Sequence, residues 1–354
     1  FSAKMFFIKT MCVVITSMYL MTTYAKATNY HLPRHNTSCI LVFGDSSVDP
    51  GNNNRLSTPA KSNFLPYGKD FFNGQPSGRF CNGRLATDFI AEELGYTNLI
   101  KAFLDPNITK KDILHGVSFA SADSGYDEYT ANITNVISLT KQLEYLRHYK
   151  IKLRALVGTK QSEEIIQKAL FLVSMGTNDF LQNYYVETTR PKQYNIEQYQ
   201  NYLISCMLSA IKEMHKLGAR KLVVVGVPPF GCIPLVRTLR DDVKCDLQMN
   251  NLALSFNSKI QRALKNLKGS SIIIGFVDIY SIILNAIENP RKYGFTETLK
   301  GCCGSGTYEY GTTCKDLNTC PDRTKYVFWD SVHLTESMYK IIAEEALELI
   351  GYMF

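Results

Sequence analysis

Five short apolar runs, each followed by a longer amphipathic stretch, constrain this chain more than any other feature. The runs are residues 39–43, 116–120, 170–174, 221–227 and 271–277. They are rich in Val, Ile, Leu and Phe, and most stop at Gly, Asp, Asn or Pro. Such runs suit strands buried on both faces. The stretches 84–94, 137–156, 196–217, 247–267 and 334–350 carry helical spacing instead. In the last, Met338, Ile341, Ile342, Ala346, Leu349 and Ile350 recur on one face. Gly218 reads as the C-terminal cap of the third. Alternating strands and helices imply an α/β fold, a three-layer α/β/α sandwich around a five-stranded parallel sheet. The stretch 49–83 is rich in Gly, Asn and Pro and reads as a long surface loop.

A chain of 354 residues with 45% hydrophobic and 20% charged residues is ordinary globular material. The expected organisation is a signal peptide over 1–27 and one globular domain over 28–354. Lys4 and Lys9 precede an apolar run over 11–21, and Ala25-Lys26-Ala27 has the small-x-small form of a cleavage site. A membrane anchor is the alternative, but the run is short. Losing the three lysines of that segment takes the net charge from +7 to +4. No block of Lys and Arg remains, so nucleic-acid binding has no support. The expected product is secreted, without a transmembrane segment.

Cysteine usage agrees with export. Nine cysteines follow Cys12, and Cys302, Cys303, Cys314 and Cys320 crowd a Gly-rich stretch without periodicity. In an oxidising compartment disulfides would hold such a loop, with at least one thiol left over. Zinc is the rival, but adjacent Cys302 and Cys303 suit one tetrahedral ion poorly. No metal or organic cofactor is therefore expected. Asn36, Asn107 and Asn132 head glycosylation sequons.

Parallel sheets bind ligands beyond the carboxyl ends of their strands. That rule selects residues 44–47, 121–125, 176–179 and 228–229. A hydroxyl nucleophile needs a base, a group orienting the base, and donors for the oxyanion. Ser46 follows the first run, with small Gly44 allowing a tight turn; a helix cap explains its position equally well. Among the histidines, His31 and His35 precede the first strand. His148 and His215 sit in helical stretches, and His115 opens the second strand at the wrong end of the sheet. His333 remains, with Asp330 three residues before it. Asn178 is a neutral amide suited to an oxyanion, or simply a polar turn residue. Gly125 offers a positive φ that could aim a backbone N–H. Asp45 and Asp179 read as turn carboxylates bonded to nearby N–H groups. A dinucleotide or P-loop site is excluded, since no Gly-x-Gly-x-x-Gly or Gly-Lys-Ser/Thr follows the first strand.

The ordered blocks resemble plant GDSL esterase/lipases of the SGNH hydrolase superfamily. Phe43-Gly44-Asp45-Ser46-Ser47 through Asn53 looks like their first block, Gly116 through Gly125 their second, and Gly176-Thr177-Asn178-Asp179 their third. Tyr326 through His333 resembles their last, and Pro76 through Arg84 another segment of the plant branch. The match runs from about residue 38 to the C-terminus. It implies a flavodoxin-like SGNH fold and a secreted carboxylic ester hydrolase acting on lipid or other acyl esters. It further implies Ser46 as nucleophile, His333 as general base and Asp330 as its orienter. The oxyanion donors would be the Ser46 N–H, the Asn178 side chain and an N–H of the second block at Asp123. Two departures stand out. Ser47 replaces the Leu of the signature, and Asp123 stands where the family often has Gly. An acyltransferase using the same acyl-enzyme is the first alternative; a binding protein on a dead scaffold is the second. Acyl chain and alcohol are not legible.

Overall fold

The computed structural model describes residues 37–241, 244–267 and 271–353. The signal-peptide expectation, Asn36, His31 and His35 lie outside them. The core sheet has six parallel strands rather than five, in the order β2-β3-β1-β4-β5-β6. These are β1 (Ile40–Gly44), β2 (Lys101–Ala102), β3 (Val117–Ser118), β4 (Leu170–Ser174), β5 (Lys221–Val225) and β6 (Ile273–Val277). The extra strand, β2, is a two-residue edge, too short to leave a periodic signal.

The strands alternate between two apolar layers, as a period of two requires. Leu41, Phe43, Phe171, Val173, Leu222 and Val224 face one layer. Ile40, Val42, Leu170, Leu172, Val223 and Val225 face the other. Three long helices supply the first layer: α2 (Leu139–Val157), α3 (Ile196–Lys216) and α4 (Leu247–Asn266). The second comes from α1 (Ala86–Glu93), α5 (Ile279–Glu288) and α6 (Glu336–Met353). Burying these apolar stripes on both faces of the sheet produces the three layers. Ser138, Asn195 and Asp246 cap α2, α3 and α4 through side-chain oxygens, satisfying N–H groups a helix start leaves unpaired. Leu217 is the last residue of the third stretch, and Gly218 follows it with φ 115°.

The stretch 49–83 is a surface loop only in part, with Arg55, Lys69, Phe72 and Asn73 exposed. Asp49, Asn52, Asn53, Tyr67, Arg79, Phe80 and Cys81 are buried in it. Its polar side chains replace the hydrogen bonds a strand would have supplied, which is how polar chain enters a core. A second, two-stranded parallel sheet joins β7 (Glu297–Gly301) to β8 (Tyr326–Phe328). Disulfides link Cys302 to Cys320, Cys303 to Cys314, and Cys232 to Cys245. The clustered cysteines are thus paired with one another, while Cys39, Cys81 and Cys206 carry free thiols.

Candidate active site

β1 lies mid-sheet, with β3 on one side and β4 on the other. The chain leaves β1 in one direction and returns through β4 in the other, so a crevice opens at their carboxyl ends. Ser46 sits there, two residues past β1. Gly44 must be glycine, because a Cβ on it would lie 2.2 Å from the Ser174 carbonyl oxygen of β4. Gln142 of α2 grips this glycine on both sides. Its Oε1 accepts from the Gly44 N–H at 3.0 Å, and its Nε2 donates to the Gly44 carbonyl at 2.9 Å. Ser47 replaces an apolar residue usefully: its hydroxyl meets Asp45 Oδ1 at 2.7 Å and Ser174 Oγ at 2.9 Å, tying β1 to β4.

His333 and Asp330 reach Ser46 from the far end of the chain. β8 leads into a tight return in which the Trp329 N–H donates to the His333 carbonyl at 2.7 Å. The cysteine-rich segment braces this return. The N–H groups of Cys302 and Cys303 donate to the Trp329 carbonyl at 2.8 and 2.9 Å. His333 Nε2 lies 2.9 Å from Ser46 Oγ, and Nδ1 lies 2.8 Å from Asp330 Oδ2. With a carboxylate facing Nδ1, the proton belongs on Nδ1, and Nε2 is free to accept from the serine hydroxyl. Asp330 Oδ1 accepts from the N–H groups of Val332 and His333 at 2.8 and 2.7 Å. Tyr67, fully buried, donates its hydroxyl to Asp330 Oδ2 at 2.6 Å and accepts from the Gly311 N–H.

Burial opposes both charges of the pair, but their mutual attraction prevails. Burial pushes Asp330 up, while the charge and hydrogen bond of His333, with Tyr67 helping, hold it below the ordinary aspartate range. Burial pushes His333 down, while Asp330 above all, then Asp123 and Asp45, lift it above 6.5. Asp330 is fully buried, whereas Ser46 and His333 keep 7% and 9% exposure, enough for a small opening at the serine.

Asn178 follows β4 and donates one amide hydrogen to the Ser124 carbonyl at 3.0 Å, which orients the second. In the second block the positive φ is at Asp123 (66°), not at Gly125. Gly125 is glycine for room instead: a Cβ would meet the Asp179 carboxylate at 2.2 Å. Among the described residues no acceptor takes the N–H of Ser46 or of Asp123. Their neighbours are engaged, Ser47 with Asp45 Oδ1 and Ala122 with Asp49 Oδ2. Asp49 and Asn53 template the second block directly. Asp49 Oδ2 accepts from the Ala122 N–H at 3.0 Å, and Asn53 Nδ2 donates to the Ala122 carbonyl at 3.1 Å.

Asp45 accepts from the N–H and hydroxyl of Ser47, and Asp179 from Tyr126, Asp127 and Thr130. Asp45 is a turn carboxylate, whereas Asp179 opens the helical segment Asp179–Tyr184 and bonds to a distant stretch of chain; both are buried. His115 ends a short helix, Lys110–His115, instead of opening a strand, and its Nδ1 meets the Tyr96 carbonyl away from Ser46. His148 lies in α2 and His215 in α3. Asn107 and Asn132 are exposed. Tyr67 and Gln142 escape sequence reasoning, because their partners stand 263 and 98 residues away.

Residues 40–346 match the family model described as GDSL-like Lipase/Acylhydrolase. The chain is 56% identical over 325 residues to the Arabidopsis thaliana protein "GDSL esterase/lipase At5g45950", covering 91% of this chain and 90% of that one. It is 45% identical over 318 residues to "GDSL esterase/lipase At5g45960" of the same plant, covering 86% and 84%. Among solved structures, an acetyl xylan esterase from Geobacillus stearothermophilus aligns over 91% of this chain and 98% of its own, at 13% identity and a TM-score of 0.41.

Proposed function

The chain belongs to the GDSL-like lipase/acylhydrolase family and is a serine ester hydrolase; within it we propose Ser46 as nucleophile, His333 as general base and Asp330 as the residue that orients the base. The unbroken hydrogen-bond relay from Ser46 Oγ through the imidazole to Asp330 carries this reading. Ser46 Oγ bonds to the ester carbonyl carbon as its proton passes to His333 Nε2. The imidazolium, held by Asp330, returns that proton to the departing alkoxide as the ester C–O bond breaks. Water then repeats the sequence on the acyl-enzyme, leaving a carboxylic acid and free Ser46. The unengaged N–H groups of Ser46 and Asp123 and the amide of Asn178 support their assignment as oxyanion donors, each of them worth about 10²–10³-fold in rate.

The substrate class is a carboxylic ester, with small-molecule, lipid and acylated-polysaccharide esters all in range. Export through removal of residues 1–27 is part of the proposal, leaving 28–354 as one catalytic domain. The paired cysteines fit an oxidising compartment, and exposed Asn107 and Asn132 suit glycosylation there. Among the described residues no helix is long and apolar enough to cross a membrane. Ser46→Ala is expected to abolish p-nitrophenyl ester hydrolysis and fluorophosphonate labelling. Labelling that persists in this variant overturns the nucleophile assignment.

A further inference from the structure

From the small opening at Ser46 a cavity runs inward, not along the surface. Ser46, Asn178 and His333 line it, and so do Ile90, Leu172, Val277, Ile283, Ile342 and Ala346. The six aliphatic residues are all buried, and they come from α1, β4, the end of β6, α5 and α6. The cavity therefore lies between the sheet and its second helical layer, on the face to which Leu172 and Val225 point. Its wall is mainly apolar, although Thr87, Ser174 and Tyr339 also line it, so the slot favours hydrocarbon over water. A serine opening onto a mainly aliphatic slot inside the core is not needed for hydrolysis as such.

We propose that this slot is a blind acyl-chain pocket, which holds the hydrocarbon tail of the acyl group while its carbonyl carbon is bonded to Ser46. The inference rests on Ser46 being the nucleophile. The acyl group is the part of the ester that stays through both chemical steps, whereas the alcohol must leave between them. A pocket walled by buried side chains suits the part that stays. Its depth follows from α6, where Tyr339, Ile342 and Ala346 all line it. Seven residues of helix span about 10 Å. An extended chain advances about 1.2 Å per bond, so about eight carbons fill that depth. Polar residues at the mouth and aliphatic residues within match a carboxyl ester carrying a medium-length saturated tail. They do not match an acetylated sugar, whose acyl group would leave the slot empty.

The test compares p-nitrophenyl esters from acetyl to dodecanoyl with acetates of alcohols from methyl to octyl, on the full protein. Each buried methylene is worth about 0.8 kcal/mol, or about fourfold in kcat/KM. Acyl-series kcat/KM is expected to climb by about that factor per carbon to near octanoyl and then stop climbing, while the alcohol series stays nearly flat. Ala346→Phe fills the inner end with about three carbons' worth of bulk, so the octanoyl-to-acetyl ratio should fall about 50-fold. Should that variant not fold, the wild-type protein carries the test through its labelling rates by ethyl- and octyl-phosphonofluoridates, where the octyl reagent should be faster. An optimum at acetyl, a response confined to the alcohol series, equal labelling by the two reagents, or a folded Ala346→Phe with an unchanged ratio overturns the acyl pocket. These outcomes are separate from failure of the nucleophile assignment, which shows as turnover surviving in Ser46→Ala.

Discussion

Asp123 concentrates the tension of the site in one residue. Its backbone takes φ 66°, a conformation Gly adopts freely and Asp is among the few other residues to tolerate. Burial raises its carboxyl, and the His333 charge pulls it back down. The same carboxylate helps lift His333. A negative charge there opposes the oxyanion that the Asp123 N–H is proposed to hold. Asp123→Gly removes the charge and keeps the N–H. Losing an anion near His333 lowers the imidazole pKa, so the acid limb of the kcat/KM profile should move to lower pH. Relief of about 1 kcal/mol at the oxyanion corresponds to a gain of about fivefold in the plateau rate. A profile unmoved by this substitution would show that Asp123 faces neither group in solution. The proposed base was legible in the sequence because few residue types can do its chemistry: elimination left a single histidine, His333, whereas position alone left Ser46 level with a helix cap and its role came from the resemblance. Tyr67 and Gln142 were not, since a buried tyrosine and a helical glutamine have ordinary packing roles and nothing in the spacing pairs Tyr67 with Asp330.

At the scale of elements, the long strands and helices were readable because each repeats a period over several residues. β2 was not, being two residues long. The larger miss was the stretch 49–83, whose polarity suggested solvent. Composition cannot distinguish an asparagine facing water from one that serves buried backbone. Asn52 is of the second kind. Its Nδ2 donates to the Ser118 and Ala120 carbonyls at 2.9 and 2.8 Å, and its Oδ1 accepts from the Leu104 N–H at 3.1 Å. One side chain thus finishes the end of β3 and anchors the segment after β2. Asn52→Ala leaves the Ala120 carbonyl and the Leu104 N–H without partners, while the Ser118 carbonyl still accepts from the Phe103 N–H. The expected loss is about 3 kcal/mol in urea unfolding, read as a lower midpoint at unchanged slope. Because Asn52 and Asn53 hold the strand end that leads to Asp123, the folded variant should also lose kcat while KM moves little. An unchanged urea midpoint would mean that water replaces the amide at no cost, and the loop would then be a surface feature after all.

Across the whole molecule, stability and activity are set against each other by pH. Burial raises Asp45 and Asp49 to about 6 and Asp179 to about 7, against the hydrogen bonds each accepts. An acid whose pKa rises on folding binds more protons in the native state between its unfolded and folded values. Stability therefore falls as pH climbs through that interval. His333 acts in the same direction. Its raised pKa contributes stability that is complete below 6.5 and lost as pH passes the folded value. The depressed acids, Asp70, Glu144, Glu213, Glu309, Asp322 and Asp330, contribute stability present above their unfolded values and lost only as pH falls well below this range. They do not offset the trend in the neutral window. Hydrolysis is expected to run the other way, since His333, as the proposed general base, accepts the serine proton only when neutral. Between about pH 5 and about pH 8 the thermal midpoint should fall by several degrees while kcat/KM rises. Thermal scans and initial rates in the same buffers measure both slopes. If the midpoint climbs with pH alongside the rate, Asp45, Asp49 and Asp179 are ionised in the folded protein throughout that window. Their hydrogen bonds, not their burial, would then set the energetics of the crevice around Ser46.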